Sequence, residues 1–194
     1  MNSTFTFDNK SDYFNSSATS ANSSSWTTIS TFVSPSDHVP RVTIVKSPYG
    51  NEGSIHWQDR KFTLNGEQLE VDDVRFKETG AGSLFSRRWF YQKSQWRIKY
   101  IYDSKTWMVW RYATSDVAEE TPSAKFKIYE SKVVGKSVPA SLFFHPSLSE
   151  SDAHFIVLAL LYSETTEHAP AAPRGFGDVF AVGITALFRS APSL

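Results

Sequence analysis

Ala153-His154-Phe155-Ile156-Val157-Leu158-Ala159-Leu160-Leu161-Tyr162 decides the fold: nine of its ten residues are apolar, in a chain that otherwise breaks into short alternating segments. The run is too long for an ordinary strand and too short to cross a bilayer, so it reads as a helix. Ser149 or Ser151 stands where an N-cap is wanted, and Glu150 and Asp152 sit where the helix dipole favours negative charge. With the start near Ser151, Phe155, Leu158 and Tyr162 fall on one side and Ile156, Ala159 and Leu160 on another. No polar stripe recurs at helical spacing, so the helix is expected to be buried on every side.

Upstream of this helix the chain reads as strands. Trp26–Val33 is β-branched and aromatic and ends at Pro35, and Arg41–Lys46 is closed by Pro48 and Gly50. Ile55 and Trp57 alternate within Gly53–Gln58. Lys61–Leu64 and Gln68–Val71 flank Asn65-Gly66, a two-residue hairpin signal because both residues accept positive φ. Aromatic strands are expected near Arg87–Tyr91, Gln95–Tyr102 and Thr106–Tyr112, then at Ala124–Tyr129 and Ala140–Phe144. Many antiparallel strands plus one helix apolar on every side imply a closed or nearly closed sheet around that helix, which leaves no edge exposed.

The ends read differently. Asp8–Ser25, rich in Ser and Asn, reads as a flexible arm or long loop, although Phe5 and Phe7 alternate as in a short strand. After Glu164 come Pro170 and Pro173, and Phe176, Phe180, Ile184, Leu187 and Phe188 then recur near helical spacing, broken by Gly177 and Gly183. A marginal amphipathic helix, a returning strand and a tail ordered by a partner all fit that pattern.

At 194 residues a single domain is the expectation. Twenty basic and twenty acidic side chains cancel, so no bulk charge draws the chain to nucleic acid or membrane. The absence of cysteine excludes disulfides, thiolate metal sites and thiol catalysis, and it suits a reducing compartment. No basic start leads into an apolar stretch, so no secretory signal is expected, and no apolar run approaches the length of a membrane-spanning helix, so no transmembrane segment is expected. The Asn-x-Ser/Thr triplets at Asn2, Asn9, Asn15 and Asn22 then read as products of composition rather than glycan acceptors.

The neutral total hides one asymmetry. Between Arg87 and Arg111 lie seven basic residues (Arg87, Arg88, Lys93, Arg97, Lys99, Lys105, Arg111) and one acid, Asp103. Alternation in Trp96–Tyr102 sends Arg97 and Lys99 outward and Trp96, Ile98, Tyr100 and Tyr102 inward. Such a face can receive anionic lipid headgroups, or it can be an ordinary solvated face that discourages edge pairing. Single-stranded nucleic acid is disfavoured because the aromatics alternate inward.

Catalytic and metal candidates are weak. His38, His56, His145, His154 and His168 show no pair at ligand spacing, and His154 reads as a buried or capping side chain. Glu67, Glu70, Asp72 and Asp73 match no calcium loop, and a solvated turn is the simpler reading. Gly80-Ala81-Gly82-Ser83 lacks the Gly-Lys-Ser/Thr of a phosphate loop, and Gly175-Phe176-Gly177-Asp178 lacks the context of one.

Four places carry a resemblance over residues 41–164. Arg41-Val42-Thr43-Ile44 precedes the Ile55-His56-Trp57 strand, and Arg88-Trp89-Phe90 leads to a turn at Lys93-Ser94-Gln95. Phe126 and Ile128 precede Leu142-Phe143-Phe144-His145-Pro146, and the apolar helix ends Leu161-Tyr162-Ser163-Glu164. In these the chain resembles a fungal family of domains of unknown function. That family is similar to the tubby-like superfamily of tubby C-terminal domains, phospholipid scramblases and LURP-one proteins. The resemblance implies an all-β fold, a closed antiparallel β-barrel threaded by a C-terminal apolar helix, and some members contact phosphoinositides. Where the family usually has an Asp-Gly turn, this chain has Ser94-Gln95.

The expected organisation is therefore an N-terminal arm over 1–25, a barrel domain over 26–168 with its helix at about 151–163, and a tail over 169–194. The expected function is a non-catalytic binding or interaction module without cofactor or metal, cytoplasmic and peripheral at a membrane. Anionic headgroups would meet Arg87, Arg88, Lys93, Arg97 and Lys99; the alternative is a structural or protein-interaction domain that binds no lipid.

Overall fold

The computed structural model describes residues 3–9, 13–32, 40–78, 86–113, 118–131 and 136–168. The chain divides into two compact units, Met1–Tyr162 and Ser163–Leu194. In the first run β1 (Ser3–Phe7), β2 (Ser16–Ser20), β3 (Ser25–Thr31), β4 (Val42–Lys46), β5 (Glu52–His56), β6 (Lys61–Leu64) and β7 (Glu67–Glu70). A single helical turn, α1 (Val71–Val74), leads to β8 (Arg75–Lys77), β9 (Ser86–Tyr91), β10 (Ser94–Ile101), β11 (Thr106–Arg111), β12 (Ala124–Lys127) and β13 (Ser141–Phe144). Helix α2 (Glu150–His168) follows, its last residues belonging to the second unit. The expected tail over 169–194 lies outside the described residues.

All strands join one antiparallel sheet in the order β7-β6-β5-β4-β3-β2-β1-β13-β12-β11-β10-β9-β8. The all-β expectation with one long helix holds. The ladder, however, does not close into a barrel: β7 and β8 are its two ends. They are consecutive in the chain, and the turn between them is helical: the Arg75 amide donates to the Val71 carbonyl, and the Val71 amide donates to the Arg60 carbonyl at 2.8 Å, instead of bonding across a hairpin. Side chains span the seam. Phe62 of β6 stacks on Trp89 of β9 at 5.9 Å and 8°, and Asn65 Nδ2 reaches the Tyr91 hydroxyl at 3.5 Å. Both end strands are short and charged, which protects an open edge from pairing with another chain.

The stretch read as an arm corrects the sequence reading. β1 and β2 lie in the middle of the sheet, β1 pairing with β13 and β2, and β2 with β3. The inward residues of β2 are Ser16 and Ala18, too small and polar to leave an apolar alternation. Their polar groups are satisfied locally: Ser16 Oγ donates to Asp8 at 2.6 Å, and the Ser16 amide donates to Thr28 Oγ1 at 3.1 Å. Tyr13, before β2, packs edge-on to Phe7 and Phe126.

The Asn65-Gly66 hairpin forms as read, with φ of 53° and 78°. The β9–β10 turn sits at Gln92-Lys93, earlier than expected, and Gln92 takes φ 52°.

Helix α2 is capped by Ser149, whose Oγ accepts the Asp152 amide at 3.1 Å and donates to the Asp152 carboxylate at 2.7 Å. Ser151 is free for the sheet and bonds the Tyr91 hydroxyl at 2.9 Å. From Ala153 to Tyr162 every residue is buried, and Phe155, Ile156, Leu158 and Ala159 are 0 % exposed. The sheet meets the helix from several directions. Trp26 of β3 lies edge-on to His154, Tyr91 stacks on Phe155 at 4.6 Å, and Trp57 stacks on Tyr162 at 5.6 Å. Burial of each large apolar side chain contributes about 1.5–3 kcal/mol, so this helix anchors the sheet even though its ladder is open.

Gly53 lets β5 approach α2. A Cβ there would stand 2.9 Å from His154 Nε2, 3.2 Å from the Thr63 carbonyl oxygen and 3.3 Å from Leu158 Cδ1.

Candidate functional site

The hairpins β9–β10 and β10–β11 place the basic residues. Along β10, Ser94, Trp96, Ile98 and Tyr100 are buried, and Gln95, Arg97, Lys99 and Ile101 alternate on the other side. Tyr102, expected inward, lies beyond the strand in the turn and is 54 % exposed. Cross-strand partners share a face, so the register carries the outer face across the sheet. Arg97 lies opposite Arg88 and Trp110, Lys99 opposite Met108, Met108 opposite Lys125, and Lys125 opposite Phe143. Lys127, two residues on from Lys125, shares that face. At a spacing of about 4.8 Å per strand, the β9–β13 face is roughly 20 Å wide.

This face unites Arg88, Arg97 and Lys99 with two lysines that sequence reading missed. The signal for Lys125 and Lys127 was their alternation with buried Ala124 and Phe126. Their place beside Lys99 needs the register, which no local pattern supplies. Half-buried Phe90, Met108, Trp110 and Phe143 sit between the cations. Among the described residues, Lys99, Lys125 and Lys127 have no carboxylate at ion-pair distance; Lys125 lies over the Phe143 ring at 5.7 Å.

The other expected residues do not converge there. Arg87 lies opposite the core residue Ile98, on the reverse side of the sheet, and donates to the Ser86 carbonyl at 2.8 Å. Lys93 occupies the β9–β10 turn. Lys105 stands in the β10–β11 turn, paired with Glu130 at 3.7 Å.

Glu78, whose side chain is 8 % exposed, anchors one corner of the basic face. Its carboxylate accepts hydrogen bonds from Ser86 Oγ and the Tyr112 hydroxyl, and from Arg97 Nε at 3.1 Å. Burial pushes the carboxyl up, but these three donors and the Arg97 charge outweigh it and hold it below the ordinary value. Burial and the bond to Glu78 push the Tyr112 phenol up. Arg88 lies 4.5 Å from the centre of the Tyr112 ring. Arg97 is thus partly neutralised from within the chain.

At the start of β10, sharing Tyr112 with that corner, Lys93, Ser94, Gln95, Arg111, Tyr112 and Glu119 line a cleft of about 440 Å³. Backbone bonds fix its walls: the Tyr112 amide donates to the Gln95 carbonyl at 2.9 Å, and the Glu119 amide to the Arg111 carbonyl at 2.7 Å. Arg111 Nη2 donates to Ser94 Oγ at 3.2 Å, and its guanidinium lies 5.7 Å from the Trp96 ring centre.

The remaining candidates serve the fold. His154 is 1 % exposed, and its Nε2 stands 3.1 Å from the Val45 carbonyl oxygen, so that nitrogen carries the proton and donates. Burial depresses its pKa, partly opposed by that bond. Asp72 pairs with Arg60 at 2.6 Å and Glu70 with Lys61 at 2.8 Å, which accounts for half of the acidic cluster. Among the described residues no group of three His, Asp or Glu is arranged to hold a metal, and no helix is long and apolar enough to cross a membrane. His38 and the two glycine-rich loops lie outside the described residues. No family model matches the chain, and neither a curated protein nor a solved structure does.

Proposed function

We propose that this domain is a non-catalytic, peripheral membrane-binding module that seats the outer face of β9–β13 on anionic lipid. Its sheet wraps α2 in the tubby-like manner, and it acts at the cytoplasmic surface. One observation carries the reading: Lys99, Lys125 and Lys127 share a face with half-buried Met108, Trp110 and Phe143, without acid partners among the described residues. Lysines supply long-range attraction to an anionic leaflet, and interleaved apolar side chains suit the headgroup level. The buried apolar stretch of α2 favours a surface role, since Phe155 and Leu158 fill the space beneath the sheet.

The test is co-sedimentation with phosphatidylserine-containing vesicles against neutral phosphatidylcholine vesicles. Each basic residue near such a surface is worth about 1 kcal/mol. Lys99→Gln together with Lys125→Gln is therefore expected to weaken binding about 30-fold, and salt is expected to weaken the wild type. Equal binding to both vesicle types would sink the reading and leave a structural or protein-interaction domain. Arg97 is a poor probe, because its loss would strand the buried Glu78 carboxylate.

A further inference from the structure

We propose that the cleft beside the β9–β10 turn binds a free acidic amino acid, independently of any lipid contact by the outer face. Among the described residues the cleft presents two cations, Lys93 and Arg111, and one carboxylate, Glu119. An acidic amino acid presents the complement, two carboxylates and one ammonium group. Among the described residues neither Lys93 nor Arg111 has a carboxylate at ion-pair distance, Glu119 included. Elsewhere Lys46, Arg60, Lys61, Arg97 and Lys105 are all paired. Three charges are thus held around one concavity without neutralising each other.

The geometry is prepared in advance. Arg111 is held by Ser94 Oγ and the Trp96 ring, which leaves other guanidinium N–H groups to grip a carboxylate. Backbone bonds tie Glu119 to Arg111 and Tyr112 to Gln95, which fixes the spacing of these described wall residues. A volume of about 440 Å³ lies within the usual range of small-molecule sites and admits an amino acid with its water. Lys93 sits on a turn whose first residue, Gln92, takes φ 52°, and it lines the cleft as an exposed point charge.

The test is titration of the ¹⁵N-labelled full chain with L-glutamate, following the amides of Lys93, Gln95, Tyr112 and Glu119. Glutarate, which lacks the ammonium group, and L-glutamine, which lacks one carboxylate, are the comparison ligands. Glutamate is expected to bind at least about tenfold more tightly than either, one charge-assisted contact being worth that much. Arg111→Gln and Lys93→Gln are each expected to weaken glutamate about tenfold or more. Glu119→Gln is expected to abolish the preference for glutamate over glutarate without weakening glutarate. All three positions are solvent-exposed, so the variants are expected to keep the wild-type spectrum elsewhere. The proposal is overturned by no saturable shift at these amides up to about 10 mM glutamate, by equal binding of glutarate, or by a preference that survives Glu119→Gln.

Discussion

Replacing Phe155, Ile156, Val157 and Leu158 by alanine, one at a time, asks whether α2 has a solvent side at all. Successive helical residues point about 100° apart, so these four positions sample the whole circumference. Their exposures are 0, 0, 4 and 0 %. Phe155→Ala is expected to cost about 3–5 kcal/mol, and Ile156→Ala and Leu158→Ala about 2–5 kcal/mol each. Val157→Ala deletes two methyl groups and is expected to cost roughly 1.5–2 kcal/mol. Leu158 belongs toward the upper end of its range. It packs against the backbone at Gly53, where paired strands limit collapse into the cavity. Urea unfolding followed by tryptophan fluorescence gives each loss, with an unchanged m-value showing that the same surface is exposed. Tyr49→Ala, at a site 70 % exposed, is the control and is expected to stay within about 0.5 kcal/mol. One position costing under about 0.5 kcal/mol while its neighbours cost their full amount would refute all-round burial.

Further outcomes are expected elsewhere. Gly53→Ala forces a Cβ to within 2.9 Å of His154 Nε2 and is expected to cost about 1–3 kcal/mol. His154→Ala should recover part of that loss, whereas strict additivity in a double-mutant cycle would contradict the proposed clash. The depressed pKa of His154 means that the unfolded chain takes up the proton first. Stability is therefore full above the ordinary value of 6.5 and falls as pH drops through it. His154→Gln should flatten the stability–pH curve between about pH 7.5 and 5, and an unchanged slope would count against the assignment. Glu78 and Asp8, held below their ordinary values of 4.5 and 3.8, contribute stability that is lost only at lower pH. Gly66→Ala meets open space but must hold φ 78°, so a loss of about 1–2 kcal/mol in chemical denaturation is expected from backbone strain alone.

The legible parts of the fold were those written in large side chains. Phe155, Leu158 and Tyr162 announced a buried helix, and Asn65-Gly66 announced a hairpin, because steric limits on φ and burial of apolar surface act residue by residue. β2 was illegible because its inward residues are Ser16 and Ala18, whose pairing is secured by hydrogen bonds to Asp8 and Thr28 rather than by greasy alternation. The open seam was hidden for a different reason: only the three-dimensional path through α1 decides whether β7 and β8 pair. Arg97 and Lys99 could be read as outward from alternation alone. Their company could not, since Lys125 reaches the same face through Met108, and Glu78 reaches Arg97 from 19 residues upstream. The basic run thus divides between an outer face, a cleft, a paired turn and, at Arg87, the reverse side of the sheet, although the residues are close in sequence.

Quenching of tryptophan fluorescence by brominated lipid tests the membrane-facing assignment most directly. Five of the six tryptophans, Trp26, Trp57, Trp89, Trp96 and Trp107, are at most 5 % exposed, and Trp110 alone stands half-buried on the outer face. With anionic vesicles carrying bromine near the headgroups, binding is expected to quench a fraction of the emission that disappears in Trp110→Phe. Vesicle binding with no Trp110-dependent quenching would contradict the account, because the membrane would then be meeting some other surface.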